Sequence, residues 1–245
     1  MCIRDRFDTH EKNGEIKHYV NQALETGKTY DCAIDWETRF RRMQNHSGEH
    51  IVSGLVHKKY GYNNVGFHMG SDVVTIDFDG ELSWEQLLEI EREANRAVAA
   101  NYKVTATFPA EDVLKTLEYR SKLELTENVR IVEIENTDIC ACCAPHVSST
   151  AEVGTVRILT AERRRRGGDG VRITMLCGLD AFDHEVITDS NNAEISMLLS
   201  AKRTETAAAV RRLISENEKL KARAAELSRE LARIKAEAIE PTEGN

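Results

Sequence analysis

The chain has 245 residues, of which 41% are hydrophobic and 30% are charged, and its formal net charge is −8. This composition predicts a folded protein of one or two domains, and no apolar run approaches the roughly 20 residues that a membrane-spanning helix needs. The acidic balance argues against a protein that coats nucleic acid. Any RNA contact should therefore be confined to small basic patches, Arg163–Arg166 or the cluster Arg39, Arg41 and Arg42, although each patch also fits a solvated face.

The first 35 residues predict β structure. Residues 9–20 read as a hairpin that turns at Asn13-Gly14. Residues 28–36 predict a strand, because every second side chain, namely Tyr30, Cys32, Ile34 and Trp36, would lie on one face. Because two or three strands cannot bury a core alone, we interpret residues 1–35 as the remnant of an N-terminal β domain.

The central segment, residues 36–190, mixes helices and hairpins. Apolar residues recur at helical spacing from Trp36 until Gly61, and Ser83 with Gln86 predicts a capping box that opens a second helix. Further elements are predicted as a hairpin over 64–80 that turns at Gly70-Ser71, a strand at 102–108, a short helix over 111–120, a strand at 128–135 that leads directly into a cysteine loop, and paired strands at 154–162 and 170–178. Hairpins without strict βαβ alternation favour an α+β fold, with an antiparallel sheet and helices packed on one face.

Residues 191–245 predict a helical extension. Heptad positions carry Val210, Leu213, Leu220, Leu227, Leu231 and Ile234, with Asn217 and Ala224 completing the seam. We expect a long coiled-coil-type helix that pairs with itself in a homodimer, with a partner, or with another segment.

Two pairs of metal-binding residue types stand four positions apart. His46 and His50 fall one turn apart on one face of the first predicted helix. Cys142 and His146 flank Pro145, which disfavours helix and predicts a loop that can curl around an ion. Three nitrogens and one sulfur form a donor set that zinc accepts at tetrahedral geometry, whereas hard cations prefer oxygen.

The crowding of cysteines supports a metal site. Cys140, Cys142 and Cys143 fall within four positions, whereas a secreted disulfide scaffold spreads its cysteines through a shorter chain. We therefore expect a cytoplasmic protein that uses thiolate as a metal ligand. Spacing alone does not choose between Cys142 and its neighbours Cys140 and Cys143.

The motifs resemble a known family. The stretch NHSGEHIV, residues 45–52, resembles the HTATHLL element of the alanyl-tRNA synthetase editing domain, and CCAPHVSSTAEVG, residues 142–154, resembles its CGGTHVxxTGEIG element. Between them, residues 75–95 are similar to a stretch of the same family, and the order matches its free-standing trans-editing proteins, often called AlaX. The resemblance covers Trp36 to Gly178 and extends to the wider superfamily that includes the threonyl-tRNA synthetase editing domain.

This resemblance implies four zinc ligands, His46, His50, Cys142 and His146, with Cys140 and Cys143 as neighbours. It also implies hydrolysis of a mischarged aminoacyl-tRNA in trans, seryl-tRNA(Ala) above all, with the 3′ end of the tRNA as partner. The family's preceding β-barrel is represented only by its last strands, and the C-terminal domain of its longer members is absent, so we expect a chain truncated at both ends.

Several residues depart from the family pattern. Ser47 stands where the family has Thr, Gly48 and Glu49 where it has Ala and Thr, and Ala144-Pro145 where it has Gly-Thr. These departures lie beside the expected metal and bear on amino-acid preference more than on zinc. Because four protein ligands fill a tetrahedral shell, we expect zinc to position the substrate while a water is activated beside it.

The remaining candidates are assigned by chemistry. Glu49 and Gln44 are candidate catalytic residues. In a zincin helix the glutamate directly follows the first His, whereas Glu49 directly precedes the second. One helical step therefore turns the Glu49 side chain away from that of His50. Hydroxyl selection needs a hydrogen-bonding pocket, so the candidate substrate-binding residues are Ser47, Thr75 and His68. The alternative function is a zinc-stabilised, non-catalytic module that dimerises through the C-terminal coiled coil. A metalloprotease is disfavoured by the position of the glutamate.

Overall fold

The computed structural model describes residues 6–12, 15–21, 23–121, 129–164 and 169–238. In chain order its elements are β1 (Arg6–Lys12), β2 (Glu15–Val20), α1 (Trp36–Tyr60), β3 (Asn64–Met69), β4 (Val74–Phe78), α2 (Trp84–Ala99), β5 (Val104–Thr107), α3 (Glu111–Leu114), β6 (Ile131–Ile134), β7 (Asp138–Ala141), a 3-10 turn (Thr150–Val153), β8 (Val156–Arg163), β9 (Val171–Cys177), α4 (Gly178–Leu198) and α5 (Thr206–Glu237). None of the described helices combines the length and the apolar character needed to span a membrane.

The N-terminal hairpin is present as the antiparallel pair β1–β2. The predicted turn at Asn13-Gly14 lies outside the described residues. The predicted strand over 28–36 is wrong, because residues 28–35 form no regular element and Ile34 is 63% exposed. No strand of the described chain pairs with this stretch, so alternation alone cannot hold it extended. No closed barrel forms among the described strands, and the origin of this segment in a β domain stays a prediction.

Helix α1 begins and ends where its sequence signals predict. The carboxylate of Asp35 accepts a hydrogen bond from the Thr38 N–H at 3.1 Å, which satisfies one of the free donors of the first turn. Gly61 ends the helix in the left-handed conformation, with φ of 73° and its N–H bonded to the His57 carbonyl. The capping box of Ser83 and Gln86 on α2 is likewise confirmed in both directions.

The antiparallel strands form two separate sheets besides the N-terminal hairpin, and not the single sheet expected. One sheet has the order β3-β4-β9-β8 and the other has the order β5-β6-β7. The strand β7 corrects the prediction that β6 leads directly into the cysteine loop. Asn136 turns the chain back between β6 and β7 with a positive φ of 60°, which asparagine tolerates better than most residues.

The predicted helix over 111–120 is confirmed only as the single turn α3. At the far end of the predicted range, Arg120 pairs with β7 instead: the Arg120 N–H donates to the Ile139 carbonyl at 2.8 Å, and the Ala141 N–H donates to the Arg120 carbonyl at 2.9 Å. A backbone engaged in this ladder cannot also make the i to i−4 bonds of a helix.

The core lies between α1, α2 and the four-stranded sheet, and its fully buried residues include Ile51, Ile76, Phe78, Leu87, Ile90 and Ile173. Buried residues of both helices and of this sheet belong to one hydrophobic cluster. Asn95 on α2 completes the ladder at the edge of β8, because its amide accepts from the Val156 N–H at 3.0 Å and donates to the Val156 carbonyl at 2.8 Å. Beyond the core, α5 continues as a long helix whose heptad side chains are mostly exposed, with Leu220 at 70%.

We expect Asn95→Ala to lower the free energy of unfolding by about 1–3 kcal/mol, because it leaves a strand N–H and a carbonyl without partners. Urea denaturation monitored by circular dichroism measures this change. Arg92→Ala, at an exposed position of the same helix, is the control and should leave the midpoint nearly unchanged. Equal stability of the two variants would contradict the assigned role of Asn95.

Candidate metal centre

His46 and His50 enter the site from α1 because the helix lies directly against the end of β9. Their ring centroids are 5.1 Å apart, as expected for one turn of one helical face. Gly48 lies between them, and a Cβ at this position would collide with the sulfur of Cys177. The glycine in NHSGEH is therefore required for the close approach of α1 to β9.

Cys142 and His146 come from the loop that follows β7, as predicted. Arg130 fixes this loop: its Nη1 atom donates to the Cys142 carbonyl at 2.8 Å and to the Ala144 carbonyl at 2.9 Å. The Cys142 N–H also donates to the Arg130 carbonyl at 3.0 Å. Sequence reasoning missed Arg130, because a lone arginine beside a strand carries no signal of a carbonyl clamp.

The four predicted ligands converge. One donor atom from each of His46, His50, Cys142 and His146 lies within 4.8 Å of every other. The Cys142 Sγ lies 3.6 Å from the His46 Nε2 and 3.5 Å from the His146 Nε2. Tetrahedral zinc with ligands at about 2.3 Å for sulfur and about 2.05 Å for nitrogen places such pairs about 3.5 Å apart. The residues therefore fit a metal ion of this kind.

The second nitrogen of each imidazole has its own partner. The Nδ1 atoms lie 3.3 Å from the Pro145 carbonyl for His46, 3.1 Å from the Ser47 Oγ for His146, and 3.0 Å from the Asp138 Oδ2 for His50. A ring that donates from Nδ1 keeps the lone pair of Nε2 for an ion. A carbonyl, a hydroxyl and a carboxylate thus orient the three rings toward the same point.

The electrostatics of the site favour an anionic sulfur. Burial opposes ionisation of Cys142, but hydrogen bonds with His146, His46 and His50 outweigh it and lower the pKa of this thiol to about 3. Burial lowers the pKa of His146 to about 4. Burial would also lower the pKa of His50, but the Glu49 carboxylate and the hydrogen bond to Asp138 raise it to about 9. Without an ion, the site therefore holds a thiolate beside an imidazolium.

Glu49 is buried beside the ligands. Its Oε1 atom accepts from the Ser53 hydroxyl at 2.7 Å and from the Asn64 amide, and its Oε2 atom lies 3.8 Å from the His50 Nε2. The Glu49 carboxylate thus lies next to His50 Nε2, the nitrogen that would bind the ion, although the two side chains leave the helix in different directions.

The other predicted candidates have different surroundings. Gln44 is 5% exposed and braces two segments, donating to the Glu152 carbonyl at 3.0 Å and accepting from the Leu179 N–H at 3.3 Å. Ser47 is fully buried, and its hydroxyl also accepts from the Val147 N–H. Substrate contacts by these residues stay predictions.

His68 and Thr75 are directly opposite each other on β3 and β4. The neighbouring Phe67 stacks on His46 with centroids 5.5 Å apart. Since successive side chains of a strand point to opposite faces, His68 and Thr75 are on the face away from this stack, and the structure does not bring them to the four ligands.

The neighbouring cysteines are arranged differently from Cys142. Cys140 lies on β7 and groups with His50 and Asp138, where the Arg120 guanidinium already occupies Asp138, and burial raises the pKa of the Cys140 thiol to about 12. Cys143 is exposed. Of the predicted basic patch, Arg163 pairs with Asp169 at 3.0 Å, and Arg165 and Arg166 lie outside the described residues.

We expect a divalent ion to displace about one proton when it binds at about pH 8, because His50 holds a proton below its pKa while Cys142 is already ionised. Titration calorimetry of zinc in two buffers of different ionisation enthalpy measures the number. Release of about two protons would contradict the thiolate, because it would require a protonated Cys142 in the ion-free chain.

Comparison of the sequence with known proteins identifies its family. Residues 129–174 match the family model described as the threonyl and alanyl tRNA synthetase second additional domain. The chain is 32% identical over 191 residues to the alanyl-tRNA editing protein AlaX-L of Pyrococcus horikoshii, covering 74% of this chain and 46% of that protein. It is 27% identical to an alanine–tRNA ligase of Methanococcus maripaludis, covering 93% of this chain and 26% of the ligase.

The chain thus spans less than half the length of these two relatives. It covers 72% of the alanyl-tRNA editing protein AlaX-M of Saccharolobus solfataricus, to which it is 32% identical over 172 residues, or 67% of this chain. The matched family segment contains both Cys142 and His146. The chain therefore belongs to the family of AlaX-type alanyl-tRNA editing proteins.

Proposed function

We propose that the chain is a zinc-dependent aminoacyl-tRNA deacylase that acts in trans on the 3′ end of mischarged tRNA, with seryl-tRNA(Ala) as substrate. The observation that carries this proposal is the convergence of three imidazoles and one thiolate within 4.8 Å. Relatives named as alanyl-tRNA editing proteins support the substrate class. The donor set supports zinc over magnesium or calcium, since those ions prefer oxygen ligands.

The reaction is hydrolysis of the ester between the amino acid and the terminal ribose. When bound, zinc supplies a positive charge that orients the ester and stabilises the negative charge developing on its carbonyl oxygen. We assign proton transfer to Glu49, whose Oε2 atom lies 3.8 Å from the His50 Nε2. Its carboxylate accepts the proton of the attacking water and returns it to the ribose oxygen as the ester bond breaks.

Selection of serine over alanine requires a group that hydrogen-bonds the extra hydroxyl, because an apolar pocket discriminates weakly. Ser47 is the candidate closest to the ligands, through its hydrogen bond with His146. His68 and Thr75 are paired across β3 and β4, on the sheet face away from the Phe67–His46 stack, and are candidates for contact with a more distant part of the substrate. Gln44 acts through the backbone segments that it braces.

We expect His46→Ala to lower the rate of seryl-tRNA(Ala) hydrolysis by about two orders of magnitude or more, because it removes a ligand of the ion on which the reaction depends. The measurement is release of labelled serine from a panel of mischarged tRNAs, with and without chelator. His57→Ala, an exposed histidine on the same helix, is the matched control and should keep the wild-type rate.

Chelator and zinc add-back separate loss of metal from loss of fold. Glu49→Gln should retain zinc and still lose hydrolysis if Glu49 transfers the proton. A rate that survives both complete removal of zinc and His46→Ala would overturn the proposal.

We further propose that α5 pairs with a second copy of the chain. The alternative function, a zinc-stabilised, non-catalytic module that dimerises through this helix, depends on the same interaction. Its seam residues are exposed on the single chain, with Leu213 at 51%, Leu227 at 48% and Leu231 at 52%. A parallel pair in register would place Glu216 against Lys221 of the second copy and Glu230 against its Lys235, since these residues occupy g and e positions. Asn217, at an a position, favours this register.

We expect Leu220→Glu with Leu227→Glu to convert a dimer to a monomer, because each charge would be buried in the seam. Sedimentation equilibrium measures the mass. Ala222→Glu, on the outer side of the same helix, is the control and should leave the dimer intact. A wild-type chain that sediments as a monomer at high concentration would refute the pairing and remove the main support for the non-catalytic alternative.

A further inference from the structure

We propose that Arg120 and Asp138 form a positioning pair that fixes His50 for metal binding, and that small solutes reach this pair through a cleft on the side away from the four ligands. The inference rests on the proposed function only in taking His50 as a ligand. It assigns roles to two residues that lie outside the NHSGEHIV and CCAPHVSSTAEVG motifs.

The pair uses both oxygens of Asp138. The Oδ1 atom accepts from the Arg120 Nε at 2.7 Å, and the Oδ2 atom accepts from the Arg120 Nη2 at 2.7 Å and from the His50 Nδ1 at 3.0 Å. Because a carboxylate only accepts, the His50 Nδ1 must carry the proton, and its Nε2 is left as the ligand atom. The two-point fork of Arg120 prevents rotation of the carboxylate away from the ring.

Neighbouring elements hold the pair against α1. The side chains of Arg120 and Asp138 are only 13% and 2% exposed. Arg120 is fixed by its backbone bonds to the two ends of the Ile139–Ala141 stretch. On α1, one turn after His50, a Cβ at Gly54 would lie 2.7 Å from the Asp138 Cβ and 2.6 Å from the Thr137 carbonyl oxygen. Gly54 thus allows β7 to bring Asp138 within reach of His50.

A cleft of about 910 Å³ opens on the other side of the pair. Arg120 and Asp138 line it together with Tyr119, His57 and Lys58, and within the described part of the chain none of the four ligands does. A small cation that enters this cleft can therefore reach the position of the Arg120 guanidinium without passing the metal site.

The chain offers a second arginine fork outside the site, in which the Arg172 side chain is 52% exposed, compared with 13% for Arg120. Arg172 on β9 makes the same fork with Asp77 on β4, with Nε to Oδ1 at 2.6 Å and Nη2 to Oδ2 at 2.7 Å. No ring of the metal site contacts this second pair, and it joins neighbouring strands of the four-stranded sheet. It therefore reports what loss of an arginine fork does to zinc binding when the fork has no contact with the metal site.

The first experiment compares Arg120→Lys, Asp138→Asn and Arg172→Lys by competition with a chelator of known zinc affinity. We expect the first two variants to bind zinc about 10- to 100-fold more weakly, and Arg172→Lys to bind like the wild type. Lysine keeps the charge of Arg120 but cannot make the fork. Cobalt absorption provides a second readout, and only the first two variants should change the spectrum of the bound ion.

The second experiment is chemical rescue. Arg120→Ala should regain zinc affinity in the presence of methylguanidinium, which fills the vacated position from the cleft. Arg172→Ala and Asp138→Ala should show no gain in affinity. Thermal melts without metal identify a variant that does not fold, and in that case Gly54→Ala tests the same contact by displacing Asp138 from α1.

Wild-type zinc affinity and an unchanged cobalt spectrum in both Arg120→Lys and Asp138→Asn would overturn the inference. Equal weakening by Arg172→Lys would also overturn it, because the effect would then belong to the fold. Failure of the wild-type chain itself to bind zinc would instead contradict the proposed function, so the two failures are distinguishable.

Discussion

A concentration of buried negative charge is the constraint on which the rest of the site depends. The Cys142 thiolate and the carboxylates of Glu49 and Asp138 lie around His50, and the Arg120 guanidinium pairs with Asp138. Because Arg120 pairs with Asp138, neither Cys142 nor Glu49 has a lysine or arginine side chain as a partner among the described residues. Buried charge is costly unless it is compensated, and a dication would restore neutrality. Without one, the raised pKa of His50 allows an imidazolium to supply part of the missing charge.

The fold meets this constraint by drawing each group from a different element. Helix α1 supplies two rings and Glu49, the loop after β7 supplies the thiolate and the third ring, and β7 itself supplies Asp138. Each approach depends on a missing side chain: Gly48 allows contact with Cys177, and Gly54 allows contact with Asp138. The distances between the predicted ligands are therefore set by how closely one helix lies against two separate sheets.

The pairing of the four predicted ligands could be inferred from sequence because its geometry is local: four-residue spacing on a helix and around Pro145 puts the two members of each pair together. The helix caps could be predicted for the same reason, as at Ser83. The groups that support the ligands could not. Arg120 and Asp138 are charged residues of types that ordinarily lie in solvent, and their burial follows from β7, which the prediction merged into the cysteine loop. The role of Arg130 depends on the path of that loop, whose carbonyls it contacts. The alternating side chains of residues 28–36 led to a wrong strand prediction, because a strand also requires a partner strand, which sequence periodicity does not reveal.

The buried part of α1 that carries the site is unusually polar. Residues 44–50 are all buried, although none has an apolar side chain. Such a run costs stability unless each polar group is paired, and here the partners come from several elements: Asn45 accepts from the Cys177 N–H at 2.8 Å, while Gln44 and Ser47 bind the backbone of other segments. A purely structural helix would bury apolar residues at these positions at lower cost. The polar run is explained if its purpose is to hold His46, Glu49 and His50 rigidly, since local rules of packing are most often broken where a site requires it.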